Sequence, residues 1–103
     1  MKPLPEQFDK SGWHLTQVFR KGLVAVFKRW KDGGLKPHFE TIRIRENPDY
    51  AVHGNPIPAH ESYPGDTAWG QHGWTFDTEE QAMAKAKELL APIKRVKRAA
   101  LAS

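Results

Sequence analysis

The chain has 103 residues and a formal net charge of +4, from 16 lysines and arginines against 12 aspartates and glutamates. It has no cysteine, which excludes disulfides, thiolate metal sites and thiol nucleophiles. No stretch approaches the roughly 20 apolar residues that a transmembrane helix needs, and the positive charge attracts polyanions, nucleic acid first and acidic protein surfaces second.

The N-terminal third begins without a clear pattern and then alternates like a sheet. Residues 1–11 contain two prolines and little periodicity, so we expect a flexible arm there. The runs 13–20 and 23–30 flank a Lys-Gly step, which predicts a β-hairpin. After the turn signal Asp32-Gly33-Gly34, the alternating run 38–45 predicts a third strand of an antiparallel meander.

The middle of the chain predicts a projecting arm. Residues 50–64 read as a short hairpin around His53-Gly54-Asn55, and Pro56 and Pro58 keep it out of the centre of a sheet because proline cannot donate to a strand ladder. A glycine-rich loop over 65–73 follows.

The last elements are a strand and a helix. Residues 74–76 form a short strand, with Trp74 and Phe76 expected on the face that meets the helix. Thr78 predicts the helix N-cap, because Gln81 follows at the spacing of a capping box, and Pro92 is expected to end or kink the helix.

These elements predict an α+β fold: a twisted antiparallel sheet of three to five strands, a hairpin arm, and one main C-terminal helix packed on one face. The domain is expected to span residues 12–92, with a basic tail over 93–103.

Strand alternation divides the predicted sheet into two faces. The face expected to meet the helix contains Val18, Val24, Val26, Trp30, Ile42 and Ile44. The opposite face contains Trp13, Phe19, Phe27, Arg29, Thr41, Arg43 and Arg45. If that second face is open, its aromatic rings and arginines are suited to stack single-stranded bases and hold phosphates. Alternatively, the arm 50–64 covers the rings and the arginines pair at the rim with Glu40 or Glu46.

Three short motifs resemble a family of small proteins of unknown function encoded by phages and mobile elements. They are Glu40 with Arg43–Arg45, the Glu-Ser-Tyr-Pro run 61–64, and the Trp-Gly-Gln-His-Gly-Trp-Thr-Phe run 69–76. The resemblance implies a phage or prophage context and no catalytic residue. Small phage proteins often act by binding, including as inhibitors of host defence, so we expect a cytoplasmic protein of the bacterial host.

The candidate contacts with a partner are basic and aromatic. They are Arg29, Arg43, Arg45, Tyr63, Trp69, His72 and the tail residues Lys94, Arg95, Lys97 and Arg98. The expected partner is a host protein or nucleoprotein complex, and the alternative is DNA or RNA bound directly.

Enzymatic function has weaker support in the sequence. A small hydrolase or metal site would draw on His60, Glu61, Asp66 and His72, if the last loop folds back towards the arm. The sequence has no zinc-helix histidine pair, phosphate-binding loop, dinucleotide fingerprint or nucleophile elbow. We therefore expect a non-catalytic protein without cofactor or metal.

Overall fold

The computed structural model describes residues 1–34 and 36–91. The strands are β1 (Gln7–Lys10), β2 (Trp13–Lys21), β3 (Val24–Trp30), β4 (His38–Arg43), β5 (Arg45–Asn47), β6 (Tyr50–Val52), β7 (Asn55–Ile57), β8 (His60–Ser62) and β9 (Gly73–Phe76). A 3₁₀ turn (Asp66–Ala68) precedes β9, and helix α1 (Glu79–Leu90) follows it. The main sheet is antiparallel, in the order β1-β2-β3-β4-β9. The predicted α+β fold is confirmed.

Helix α1 lies across one face of this sheet, in contact with β3, β4 and β9. Its N-cap is Thr78, whose hydroxyl accepts a hydrogen bond from the Gln81 N–H at 3.1 Å. The Thr41 hydroxyl fixes the helix to the sheet by donating to the Ala82 carbonyl at 2.7 Å. The apolar cluster under the helix contains Val24, Val26, Ala82 and Ala86, with Phe19, Phe39, Phe76, Met83, Leu89 and Leu90 at its edge.

The N-terminal segment differs from the flexible arm expected over residues 1–11. Gln7–Lys10 form edge strand β1, and Leu4 is buried in the core. The physical reason is a two-residue turn, in which Ser11 and Gly12 take φ values of 53° and 81° and reverse the chain into β2. Such a turn matches the twist of antiparallel strands.

The connection from β4 to β9 forms a projecting two-stranded ribbon, which we call the ribbon (residues 45–62). Strand β5 pairs with β8, and β6 pairs with β7 nearer the tip. His53 and Gly54 have φ values of 51° and 81°, as a tight hairpin turn requires. The hairpin predicted at these residues is therefore present.

The sheet face opposite the helix, here the second face, is covered by aromatic side chains, most of them from outside the meander. Its core contains Leu4, Leu15, Ala25, Phe27, Ile42 and Ile44, with Phe8, Trp13, Tyr63 and Trp69 packed against it. The cover thus comes from β1, the N-terminal segment and the stretch after β8. Tyr50 and Val52, near the ribbon tip, stay exposed.

Strand β4, and β2 beyond Gln17, present the opposite faces to those predicted. In β4, Thr41 and Arg43 pair with Val26 and Val24 on the helix side, which puts Ile42 and Ile44 on the second face. In β2, a bulge between Gln17 and Phe19 shifts the alternation. Because a one-residue shift exchanges the two faces of a strand, Phe19 packs under the helix and Val18 is exposed.

Candidate partner-binding cleft

A cleft of about 310 Å³ opens on the second face, where the β1–β2 turn lies beside the end of β3. Its lining residues are Lys10, Ser11, Trp13, Leu15, Arg29, Glu40, Trp69 and Thr75. Strands β1, β2, β3, β4 and β9 all contribute, so a rigid sheet holds most of these side chains. Trp69 comes from the loop before β9.

A buried carboxylate organises the cleft. The Glu40 side chain is only 7% exposed, and it accepts a hydrogen bond from Arg29 Nη1 at 3.0 Å and one from the Tyr63 hydroxyl at 2.5 Å. The Thr75 hydroxyl lies 3.4 Å from the same carboxylate and accepts a hydrogen bond from Trp69 Nε1. Burial raises the pKa of Tyr63, and the Glu40 charge raises it further. Tyr63 therefore remains a protonated donor.

Cations lie over the aromatic rings at the mouth of the cleft. The Arg29 guanidinium sits 3.9 Å from the centre of a Trp13 ring, and Lys31 Nζ lies 4.5 Å from it. Lys10 Nζ is 5.1 Å from the Tyr63 ring centre. Among the described residues, the Arg29 side chain makes one hydrogen bond, although a guanidinium has five N–H donors.

The structure divides the predicted contact residues between two places. Arg29, Tyr63 and Trp69 converge at the cleft, as described above. Arg43 and the two other described candidates, Arg45 and His72, line a separate groove of about 570 Å³. The remaining candidates, Lys94, Arg95, Lys97 and Arg98, lie outside the described residues.

Two of the residues proposed for a hydrolase, Glu61 and His60, have other contacts. Glu61 forms a two-point ion pair with Arg20 at 2.8 and 2.7 Å, and this interaction, with the Leu4 N–H, holds the Glu61 pKa at about 2. His60 Nδ1 lies 3.0 Å from the Pro58 carbonyl oxygen. Over residues 1–34 and 36–91 no group of three side chains is arranged to hold a metal ion.

Sequence reasoning missed the centre of the cleft. The sequence predicts Glu40 as a motif residue and as a rim partner for an arginine, and Lys10, Lys31 and Thr75 are not among the predicted contacts. A signal was present, because a glutamate two residues before Ile42 must share the face of that isoleucine in a regular strand. A charged side chain on an apolar face requires a polar partner, and Arg29, Tyr63 and Thr75 fill that role.

No protein family, curated protein or solved structure shows a significant match to this chain. None of the helices in the described part of the chain is long and apolar enough to cross a membrane.

Proposed function

We propose that the protein is a non-catalytic binding protein that holds single-stranded nucleic acid at the cleft on the second face. The observation that supports this most directly is the Arg29 guanidinium 3.9 Å from the centre of a Trp13 ring, with Lys31 Nζ 4.5 Å from the same ring. Stacked guanidinium and indole planes are platforms for unpaired bases, and the nearby ammonium groups suit phosphates.

Basic residues extend beyond the cleft along the β3–β4 end of the sheet. A smaller hollow of about 190 Å³ there is lined by Lys28, Trp30, Lys31 and Lys36, together with Gly34 and Pro37. Lys28 Nζ lies 5.8 Å from a Trp30 ring centre, which repeats the pairing of cation and indole. Lys31 lines this hollow and also contacts Trp13 of the cleft, so it can hold a phosphate next to a base that enters the cleft.

Fluorescence anisotropy with labelled single-stranded and duplex oligonucleotides tests this proposal. At about 50 mM salt we expect micromolar or tighter binding of the single strand, weakening steeply towards about 200 mM. Binding of duplex should be weaker, because its paired bases cannot enter the cleft. Absence of single-strand binding at the lower salt concentration would refute the proposal.

A second candidate function is engagement of a protein or nucleoprotein complex of a bacterial host, as the phage resemblance implies. It is supported by the ribbon, where Tyr50 and Val52 share one side of β6 and are 50% and 42% exposed. Exposed aromatic and aliphatic side chains on a projecting element are typical of protein contacts.

Affinity capture from a bacterial lysate separates this candidate from nucleic-acid binding. A specific partner should be recovered by the wild-type protein after nuclease treatment and lost with the double variant Tyr50→Ser, Val52→Thr. Equal recovery by both proteins would show that the ribbon is not the contact.

A further inference from the structure

The cleft offers many hydrogen-bond donors and few free acceptors. Lys10, Ser11 and Arg29 line it with ammonium, hydroxyl and guanidinium groups. Its one carboxylate, Glu40, already accepts hydrogen bonds at both oxygens, from Tyr63 on one and from Arg29 on the other. A ligand group that enters therefore meets N–H and O–H groups, and it is favoured if it presents oxygen or nitrogen lone pairs.

The walls of the cleft are apolar and held in place. Trp69 stacks on Tyr63, with ring centres 6.4 Å apart and planes inclined by 27°, and its Nε1 donates to Thr75 at 3.1 Å. A side chain at Gly73 would overlap the Trp69 ring, so the glycine allows the indole to lie against β9. Trp13 and Leu15 complete the lining. A ring-shaped ligand can thus be held flat without rearrangement of the walls.

We propose that the cleft binds one unpaired nucleobase of the keto type, such as thymine or uracil, in preference to an amino base such as cytosine. This inference rests on the proposed nucleic-acid binding. Arg29 is the recognising residue, since its ion pair with Glu40 and its contact with the Trp13 ring hold it in place. Thymine presents a carbonyl oxygen at the position where cytosine presents an amino donor. The amino group would face the Arg29 donors without an acceptor, which is unfavourable.

The test compares labelled oligo-dT and oligo-dC of about ten nucleotides, a length within the range of small single-strand sites. The two ligands have the same backbone charge and similar base size. We expect oligo-dT to bind about tenfold more tightly, the order of one good base contact. Equal affinities would overturn this inference and leave the proposed function intact. If neither strand binds, both the proposed function and the inference fail.

Variants identify the residue that discriminates. Arg29→Lys keeps the positive charge and removes the planar donor group, so the ratio of oligo-dT to oligo-dC affinity should fall towards one. Lys21→Arg is the matched control, because it makes the reverse exchange at an exposed residue at the far end of β2, and it should leave the ratio unchanged. A wild-type ratio in a folded Arg29→Lys protein would overturn the assignment. If that variant does not fold, the comparison of oligo-dT with oligo-dC on the wild-type protein decides whether the cleft prefers a keto base.

Discussion

The molecule contains two arginine–glutamate ion pairs that differ in how many of the arginine donors they use. Arg20 donates to Glu61 with both terminal nitrogens and to the Gly22 carbonyl with Nε. Arg29 donates to Glu40 with a single nitrogen, at 3.0 Å. The Arg20 donors are thus bonded within the protein, whereas Arg29 has further N–H donors at the edge of the cleft.

The surroundings of the two pairs explain this difference. Glu61 also accepts the Leu4 N–H at 2.9 Å, so one carboxylate joins the N-terminal segment, β2 and the ribbon. The backbone of Lys2 adds hydrogen bonds to Ala59 and Glu61 at the same place. Glu40 instead joins side chains that line the cleft. The Arg20 pair therefore joins three segments of the fold, and the Arg29 pair leaves donors that the proposed ligand can use.

Glu61→Gln should give the largest loss of stability, because it removes the charge that three segments share. We expect the free energy of unfolding to fall by about 2–3 kcal/mol, somewhat less than for a fully buried pair since Arg20 is partly exposed. Urea denaturation measures this loss. The control is Glu46→Gln, directly opposite Glu61 in the β5–β8 pair and exposed, which should be nearly neutral. Equal losses in the two variants would contradict the structural role.

The same pair predicts a pH dependence with a definite sign. The Arg20 guanidinium and the Leu4 N–H lower the Glu61 pKa to about 2 in the folded protein, whereas an unfolded glutamate titrates near pH 4.3. The stabilisation from Glu61 is therefore present above about pH 4.3 and is lost as the pH falls towards 2. As the pH falls through this range, the urea concentration at the unfolding midpoint should decrease less steeply for Glu61→Gln than for the wild type. Parallel curves would contradict the prediction.

Tyr63→Phe tests the buried side of the cleft with a smaller expected effect. It removes the hydroxyl that donates to Glu40 and keeps the ring against Phe8, Phe27 and Trp69. Loss of a hydrogen bond to a charged group should lower the free energy of unfolding by about 1–2 kcal/mol. Thermal and urea unfolding would show this, with Tyr50→Phe on the exposed ribbon as the control. A loss of stability no larger than that of the control would mean that the hydrogen bond from Tyr63 to Glu40 does not stabilise the fold.

Much of this fold follows from local sequence signals, and the exceptions have identifiable causes. The strand pattern of the meander, the hairpin at His53-Gly54 and the Thr78 cap depend on neighbouring residues alone. Neighbouring residues alone do not decide which side chains of β4 face the helix, because both alternating sets of its residues include apolar side chains. The outcome depends on the register of β4 with β3. The bulge in β2 likewise forms against its partner strand.

The cleft was only partly predictable for a related reason. Arg29, Tyr63 and Trp69 could be chosen as basic and aromatic residues, yet they lie far apart in the chain and meet through sheet pairing and the return of the loop after β8. Glu40 could have been found from its place on the face of Ile42. Lys10 could not, since residues 1–11 show little periodicity and its position depends on the pairing of β1 with β2.

Lys31→Ala should give the smallest change in stability. It tests whether the cleft beside Arg29 binds single-stranded nucleic acid. Lys31 is exposed and contacts Trp13 from above the cleft, so the free energy of unfolding should change by no more than about 0.5 kcal/mol. The slope of log affinity against log salt for single-stranded DNA should fall by about 0.7, the value for one phosphate contact. Lys21→Ala also removes one positive charge, but from the end of β2 opposite Trp13. It should leave the slope unchanged. If both variants reduce it equally, the protein's net charge, and not the cleft, attracts the nucleic acid.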